Sequence, residues 1–113
     1  MPSKTIFSRI LDGEIPCEEV YNDSVCLAFR YIQPQAPIHI LVIPRKIISS
    51  LGEASIDDKD LLGHLLIISA NIAKQEGLQD WRTVINTGSK AGQTVFHLHV
   101  HIIGGRELTW PPG

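Results

Sequence analysis

The chain has 113 residues, enough for one domain with a real but modest core, and its 43% apolar content fits a compact globule. A formal net charge of −2, with no run of Lys or Arg, excludes an electrostatic footprint for nucleic acid or an anionic membrane, though not one small phosphorylated ligand. No apolar run could span a bilayer and the N-terminus carries no apolar signal core, so Cys17 and Cys26 read as free thiols of a cytoplasmic protein.

Residues 5–11 read as a short helix with Ile6, Phe7 and Ile10 on one side, ended by Asp12-Gly13. Residues 18–21 form a short strand, Asn22-Asp23 a turn, and residues 25–31 a second strand. Pro34-Gln35-Ala36-Pro37 breaks the chain before a clear strand at 38–43, which Pro44 closes. In that strand His39 shares a face with Leu41 and Ile43, opposite Ile38, Ile40 and Val42.

The main helix is marked by Ser55 and Asp58, which resemble a capping box, and by the acidic Asp57, Asp58 and Asp60 at its positive end. It is predicted to run to Glu76, with Gly77 as a left-handed cap. Its middle, residues 61–70, is apolar on more than one face, so it must be covered on both sides. In so small a chain the simplest second cover is another copy, which predicts a homodimer with this helix at the interface. His64, inside the helix, reads as structural or as part of that interface.

Residues 81–86 read as a strand joined by the polar, glycine-bearing loop 86–94 to a final strand, a hairpin pairing the two antiparallel. The tail, residues 104–113, has no regular pattern. Strands joined by short turns beside one long helix give an α+β domain. Its mainly antiparallel sheet has about five strands, with one long helix and a short N-terminal helix.

The final strand carries the chemistry. In Phe96-His97-Leu98-His99-Val100-His101-Ile102-Ile103 the histidines alternate with apolar residues, so His97, His99 and His101 take one face and Leu98, Val100 and Ile102 the other. A row of imidazoles supports two readings. One is a zinc site with an open fourth position; the other is an acid/base and nucleophile set whose central member attacks. The preceding loop favours the second. Gly88, Gly92, Gln93 and Thr94 offer backbone amides, a carboxamide and a hydroxyl suited to a phosphate. The carboxylates that would orient metal-bound histidines do not occur near this strand before Glu107.

The run 97–103 resembles the histidine triad (HIT) pattern of alternating histidines followed by apolar residues. Residues 34–44, Gly92-Gln93-Thr94 and the terminal Trp110-Pro111-Pro112-Gly113 are similar to the Hint branch of that superfamily, over nearly the whole chain. The resemblance implies a single HIT domain over residues 1–113, homodimeric, that hydrolyses purine nucleoside phosphoramidates such as AMP joined to an amine. It needs no cofactor or metal. It implies His99 as the nucleophile forming a nucleotidyl-histidine, with His97 and His101 holding its tautomer and contacting the phosphate, and His39 completing the cluster. It assigns Asn86, Gln93 and Thr94 to the phosphate, Thr94 standing where the family usually has serine. Ile6, Phe7, Ile10, Phe29 and Ile32 would wall the base pocket, and Trp110 would lie near the partner's site and bear on substrate choice. A nucleotide-binding or interaction module with vestigial catalysis is the alternative.

Two positions depart from the pattern. Tyr31 occupies the place of the acidic residue that commonly bonds the ribose hydroxyls, which predicts weaker or altered nucleoside binding. Ile47 stands where some relatives have a histidine proposed to bind zinc together with a cysteine matching Cys26, so zinc is not expected there.

Overall fold

Apolar alternation of period two, interrupted by one long run of helical period, builds an open five-stranded sheet covered on both faces. The computed structural model describes residues 4–113. Helix α1 (Ile6–Leu11) is capped by Thr5, whose Oγ1 accepts the Ser8 N–H at 3.1 Å. Strands β1 (Glu19–Asn22), β2 (Cys26–Arg30) and β3 (Ile38–Pro44) follow, then helix α2 (Lys59–Gln75), and finally β4 (Trp81–Val84) and β5 (Val100–Gly104). The sheet order is β1-β2-β3-β5-β4, every neighbour antiparallel.

Alternation assigns the two faces of the sheet. Ile40 and Val42 of β3 and Val100 and Ile102 of β5 meet Leu65, Ile68 and Ile72 of α2 in the larger core. The opposite side chains, Leu27, Phe29, Leu41 and Ile43, pack with Phe7 of α1 in a smaller one. Because α1 covers only part of that second face, the histidines occupy what it leaves open.

The α2 start follows the Ser55–Asp58 signal. Asp58 Oδ2 accepts the Ser55 N–H at 2.9 Å and Ser55 Oγ the Asp57 N–H at 3.3 Å, around a single 3-10 turn that precedes the helix proper. At the other end Gly77 takes φ +84° and the Leu78 N–H closes back on the Ala73 carbonyl at 3.0 Å. On the side away from the sheet Leu66 and Ile67 remain 46% and 63% exposed. No helix among the described residues is long and apolar enough to cross a membrane.

The histidine strand is shorter than the alternation predicts. Its ladder begins at Val100, opposite Val42, and residues 96–99 run on outside it. The next residue on β3 whose backbone faces β5 is Pro44, two on from Val42, and it has no N–H to offer, so the pairing stops there. The Leu98 N–H is satisfied instead by the Ile48 carbonyl at 2.7 Å. Likewise β4 ends at Val84, two residues before the predicted Asn86.

Candidate active site

Strand register brings the histidines together. Leu41 opposes His101 and His39 opposes Ile103, so His39 and His101 are diagonal neighbours on one face. Their rings lie 5.2 Å apart, and the His99 ring is 5.0 Å from that of His101. Two aromatic side chains bracket the group. Phe7 meets His99 edge-on at 4.9 Å and His97 at 6.3 Å, while Tyr31 lies 4.8 Å from His39 and 6.2 Å from His101.

Backbone groups fix where each imidazole proton sits. The Gln35 N–H donates to His39 Nδ1 at 3.0 Å, so in the neutral ring the proton is on Nε2. That Nε2–H donates to His101 Nδ1 at 2.9 Å, which leaves His101 with its proton on Nε2. His101 Nε2 is buried and has no protein partner among the described residues. His99 is set in the opposite sense: its Nδ1–H donates to the His97 carbonyl at 2.7 Å, leaving a lone pair on Nε2. The result is one imidazole presenting a lone pair beside another presenting an N–H.

His97 does this work through its backbone. Its ring is fully buried and turned away, Nε2–H donating to the Pro44 carbonyl at 2.8 Å, with Nδ1 unpartnered. The expectation that the His97 imidazole itself holds the His99 tautomer and touches the phosphate is therefore corrected to an effect of its carbonyl.

All four rings are kept uncharged. Burial pushes His39, His97 and His99 below the ordinary 6.5, with the carbonyl bond to His97 partly offsetting it at His99. His101 is pushed down to about 4 by burial, reinforced by repulsion from His99 and His39.

His99 and His101 open into a cavity of about 420 Å³ whose walls include Ile6, Phe7, Ile10, Phe29, Tyr31 and Ile32. Leu41 floors it, and Gly92, Thr94 and Val95 border it from the loop. His39 stands behind His101, outside the lining. Gln93 is placed otherwise than expected. Its carboxamide donates to the Ser49 and Val95 carbonyls at 2.7 and 3.1 Å and accepts the Gly88 N–H at 2.9 Å. Both its donors are used up on backbone carbonyls, so it fixes the loop and has none left for a phosphate. Asn86 lies against Gly92, whose φ of +100° only glycine adopts readily. Trp110 is 81% exposed and touches none of this. The sequence reading missed Gln35, whose backbone N–H anchors the relay; its setting between Pro34 and Pro37 was the available signal.

One other cluster has metal-ligand chemistry among the described residues: Asp23, Cys26 and His64, donor atoms within 4.8 Å of one another. Its donors are already committed. Asp23 Oδ1 accepts the Val25 and Cys26 amides at 2.7 and 2.8 Å, and Oδ2 binds Tyr21 Oη and His64 Nε2, each at 2.7 Å. Burial pushes the Cys26 thiol up to about 12. These hydrogen bonds tie the β1–β2 turn to α2.

The model of a family described as the HIT domain matches residues 12–108. An HIT-like protein of Synechococcus elongatus is 57% identical over 100% of both chains. A 14 kDa zinc-binding protein of Zea mays is 49% identical over 98% of this chain and 89% of its own. Among solved structures, an HIT family hydrolase from Legionella pneumophila superposes with a TM-score of 0.95 at 46% identity, covering 97% of this chain and 100% of that one.

The lowered imidazoles predict the acid behaviour of the fold. An unfolded histidine binds its proton near 6.5, whereas the folded ones resist protonation, so falling pH favours the unfolded chain. Stability should be full above about pH 6.5 and decline from there toward pH 4, where His101 titrates. Denaturant midpoints measured across that window check this; midpoints constant from pH 7 to 4.5 would contradict it.

Proposed function

The chain belongs to the HIT domain family, and on that footing we propose that it is a nucleotide-binding hydrolase of the Hint type, cleaving purine nucleoside phosphoramidates. The observation that carries this reading is the His99 imidazole, uncharged, with its Nδ1 proton held by a carbonyl and its Nε2 lone pair beside an apolar slot. A nucleophile for phosphorus at neutral pH needs those properties together.

In the proposed reaction the base enters between Phe7, Ile10 and Phe29, and the α-phosphoryl group lies against the 92–95 loop. His99 Nε2 forms a bond to phosphorus as the P–N bond to the amine breaks, its electron pair remaining on the departing nitrogen. That nitrogen takes a proton, for which the Thr94 hydroxyl is the candidate donor. Water then attacks the nucleotidyl-histidine, its oxygen bonding phosphorus as the N–P bond breaks and the electron pair returns to His99 Nε2. The proton it gives up restores the Thr94 hydroxyl as AMP leaves. His101 Nε2–H, unpartnered within the protein, donates to a phosphoryl oxygen as negative charge grows there. His39 acts through His101, holding its tautomer.

The same reading takes the molecule as a homodimer. Exposed Leu66 and Ile67 on α2 supply the apolar face that a second copy would cover, and exposed Trp110 is free to reach the partner's site. Replacing Leu66 and Ile67 by Glu should give a monomer in sedimentation; an unchanged sedimentation coefficient counts against this interface.

Turnover of an adenosine phosphoramidate tests the chemistry. His99→Ala should lower kcat on the order of a thousandfold or more while leaving the fold intact. Full activity in that variant removes the mechanism, and tight binding without turnover in the unmodified protein favours a binding module. For the ribose, Tyr31→Asp should bind AMP roughly tenfold more tightly, the worth of a charge-assisted hydrogen bond. Calorimetry showing equal or weaker binding by the Asp variant would reject that assignment.

A further inference from the structure

Three carbonyls of one short segment receive donors from the stretch that carries the nucleophile. Residues 93–99 lie outside any strand, β5 beginning only at Val100. What holds them is the segment 44–49, at the end of β3. Pro44 O accepts His97 Nε2–H at 2.8 Å, Ile48 O accepts the Leu98 N–H at 2.7 Å, and Ser49 O accepts Gln93 Nε2–H at 2.7 Å. These bonds stand in place of a ladder.

The segment that gives the carbonyls is itself anchored on three sides. Pro44 pairs with Cys26 at the end of the β2–β3 ladder. The Arg45 N–H donates to the Val25 carbonyl and its Nε to the Asp23 carbonyl, each at 2.9 Å. Lys46 Nζ donates to Asp58 Oδ1 at 2.5 Å, just ahead of α2, and Ile48 is buried in the larger core.

One peptide unit passes this rigidity to the nucleophile. The bond between His97 and Leu98 is trans and planar, so its N–H and C=O point in opposite directions. With the N–H fixed on Ile48 O, the C=O is aimed the other way, where it takes the His99 Nδ1 proton at 2.7 Å. The His97 ring secures the same peptide. It is fully buried, and its Nδ1 has no partner among the described residues, which is unfavourable. An apolar side chain of similar bulk would carry no such penalty. What a histidine adds here is its Nε2–H on Pro44 O.

We propose that segment 44–49 is the template that aims the nucleophile, and that His97 is the positioning residue through which it acts. The ring's bond to Pro44 O holds the 97–98 peptide so that its carbonyl keeps the His99 proton on Nδ1 and the lone pair on Nε2. Without that bond the peptide can turn, and His99 can place its proton on either nitrogen. The tautomer follows from this geometry alone; only its kinetic consequence rests on the phosphoramidase reading.

Three substitutions separate the donor from the bulk. In His97→Gln the amide nitrogen stands where imidazole Nε2 stood; in His97→Asn it reaches only as far as Nδ1; His97→Leu supplies bulk without a donor. Nitrogen NMR of histidine-labelled protein near neutral pH reads the tautomer, the His99 signals being those lost in His99→Ala. The Leu and Asn substitutions should turn the single Nδ1–H form of His99 into a mixture. They should lower kcat for an adenosine phosphoramidate by roughly tenfold to a hundredfold with KM little moved. His97→Gln should recover most of both losses. Folded His97→Leu and His97→Asn proteins that keep the unmodified tautomer and kcat overturn the proposal. So does a folded His97→Gln protein as impaired as the Leu one. Where His97→Leu fails to fold, His97→Asn carries the comparison. If not even the unmodified protein turns the compound over, the phosphoramidase reading fails, and the nitrogen shifts still decide the role of His97.

Discussion

The site depends on hydrogen bonds that can run in only one direction. A backbone N–H at Gln35 must donate and a backbone carbonyl at His97 must accept, and neither depends on pH. From these fixed ends the tautomers of His39, His101 and His99 follow without freedom. A carboxylate in the same orienting place would have drawn a proton onto the ring. A carbonyl orients while adding no formal charge, and burial does the rest, so the imidazoles are directed and neutral together. Phe7 and Tyr31, each against two rings, exclude water from the flanks and so enforce that neutrality.

The sheet makes this arrangement specific. His39 and His101 come from strands far apart in sequence and meet only because β3 and β5 pair in one register. A slip of one residue would send one ring into the helix-facing core, where Ile40, Val42, Val100 and Ile102 leave no room for it. The apolar core that stabilises the domain is thus the same device that aligns the relay. Pro44 adds a second role: it ends the ladder and supplies the carbonyl that turns the His97 ring away from the cavity.

Much of this was legible in the residues because period and punctuation carry it. The alternation at 97–101, the Ser55–Asp58 signal, Gly77 and the proline-bounded strand all act locally, so α2, β3 and the face of the histidines could be read directly. What escaped is non-local or backbone in origin. That residues 96–99 leave the ladder depends on a missing N–H on another strand. That Gln93 turns inward depends on the carbonyls of Ser49 and Val95 and the amide of Gly88, which the chain brings round it only on folding. The use of the His97 carbonyl in place of its ring could not be read from side-chain identity at all.

Tyr31 illustrates how a substitution can be absorbed by this design. Its ring lies on His39, and its N–H donates to the His39 carbonyl at 3.0 Å, so ring contact and backbone pairing both hold it beside the relay. A carboxylate at that position would bring negative charge close to the buried His39–His101 pair and favour an imidazolium there. The phenol brings apolar surface instead, and the pair remains neutral. On the proposed reading, what is gained in keeping the relay uncharged is lost as an anionic acceptor for the ribose. The position, on that same reading, therefore couples nucleoside recognition to the protonation of the His39–His101 pair through one side chain.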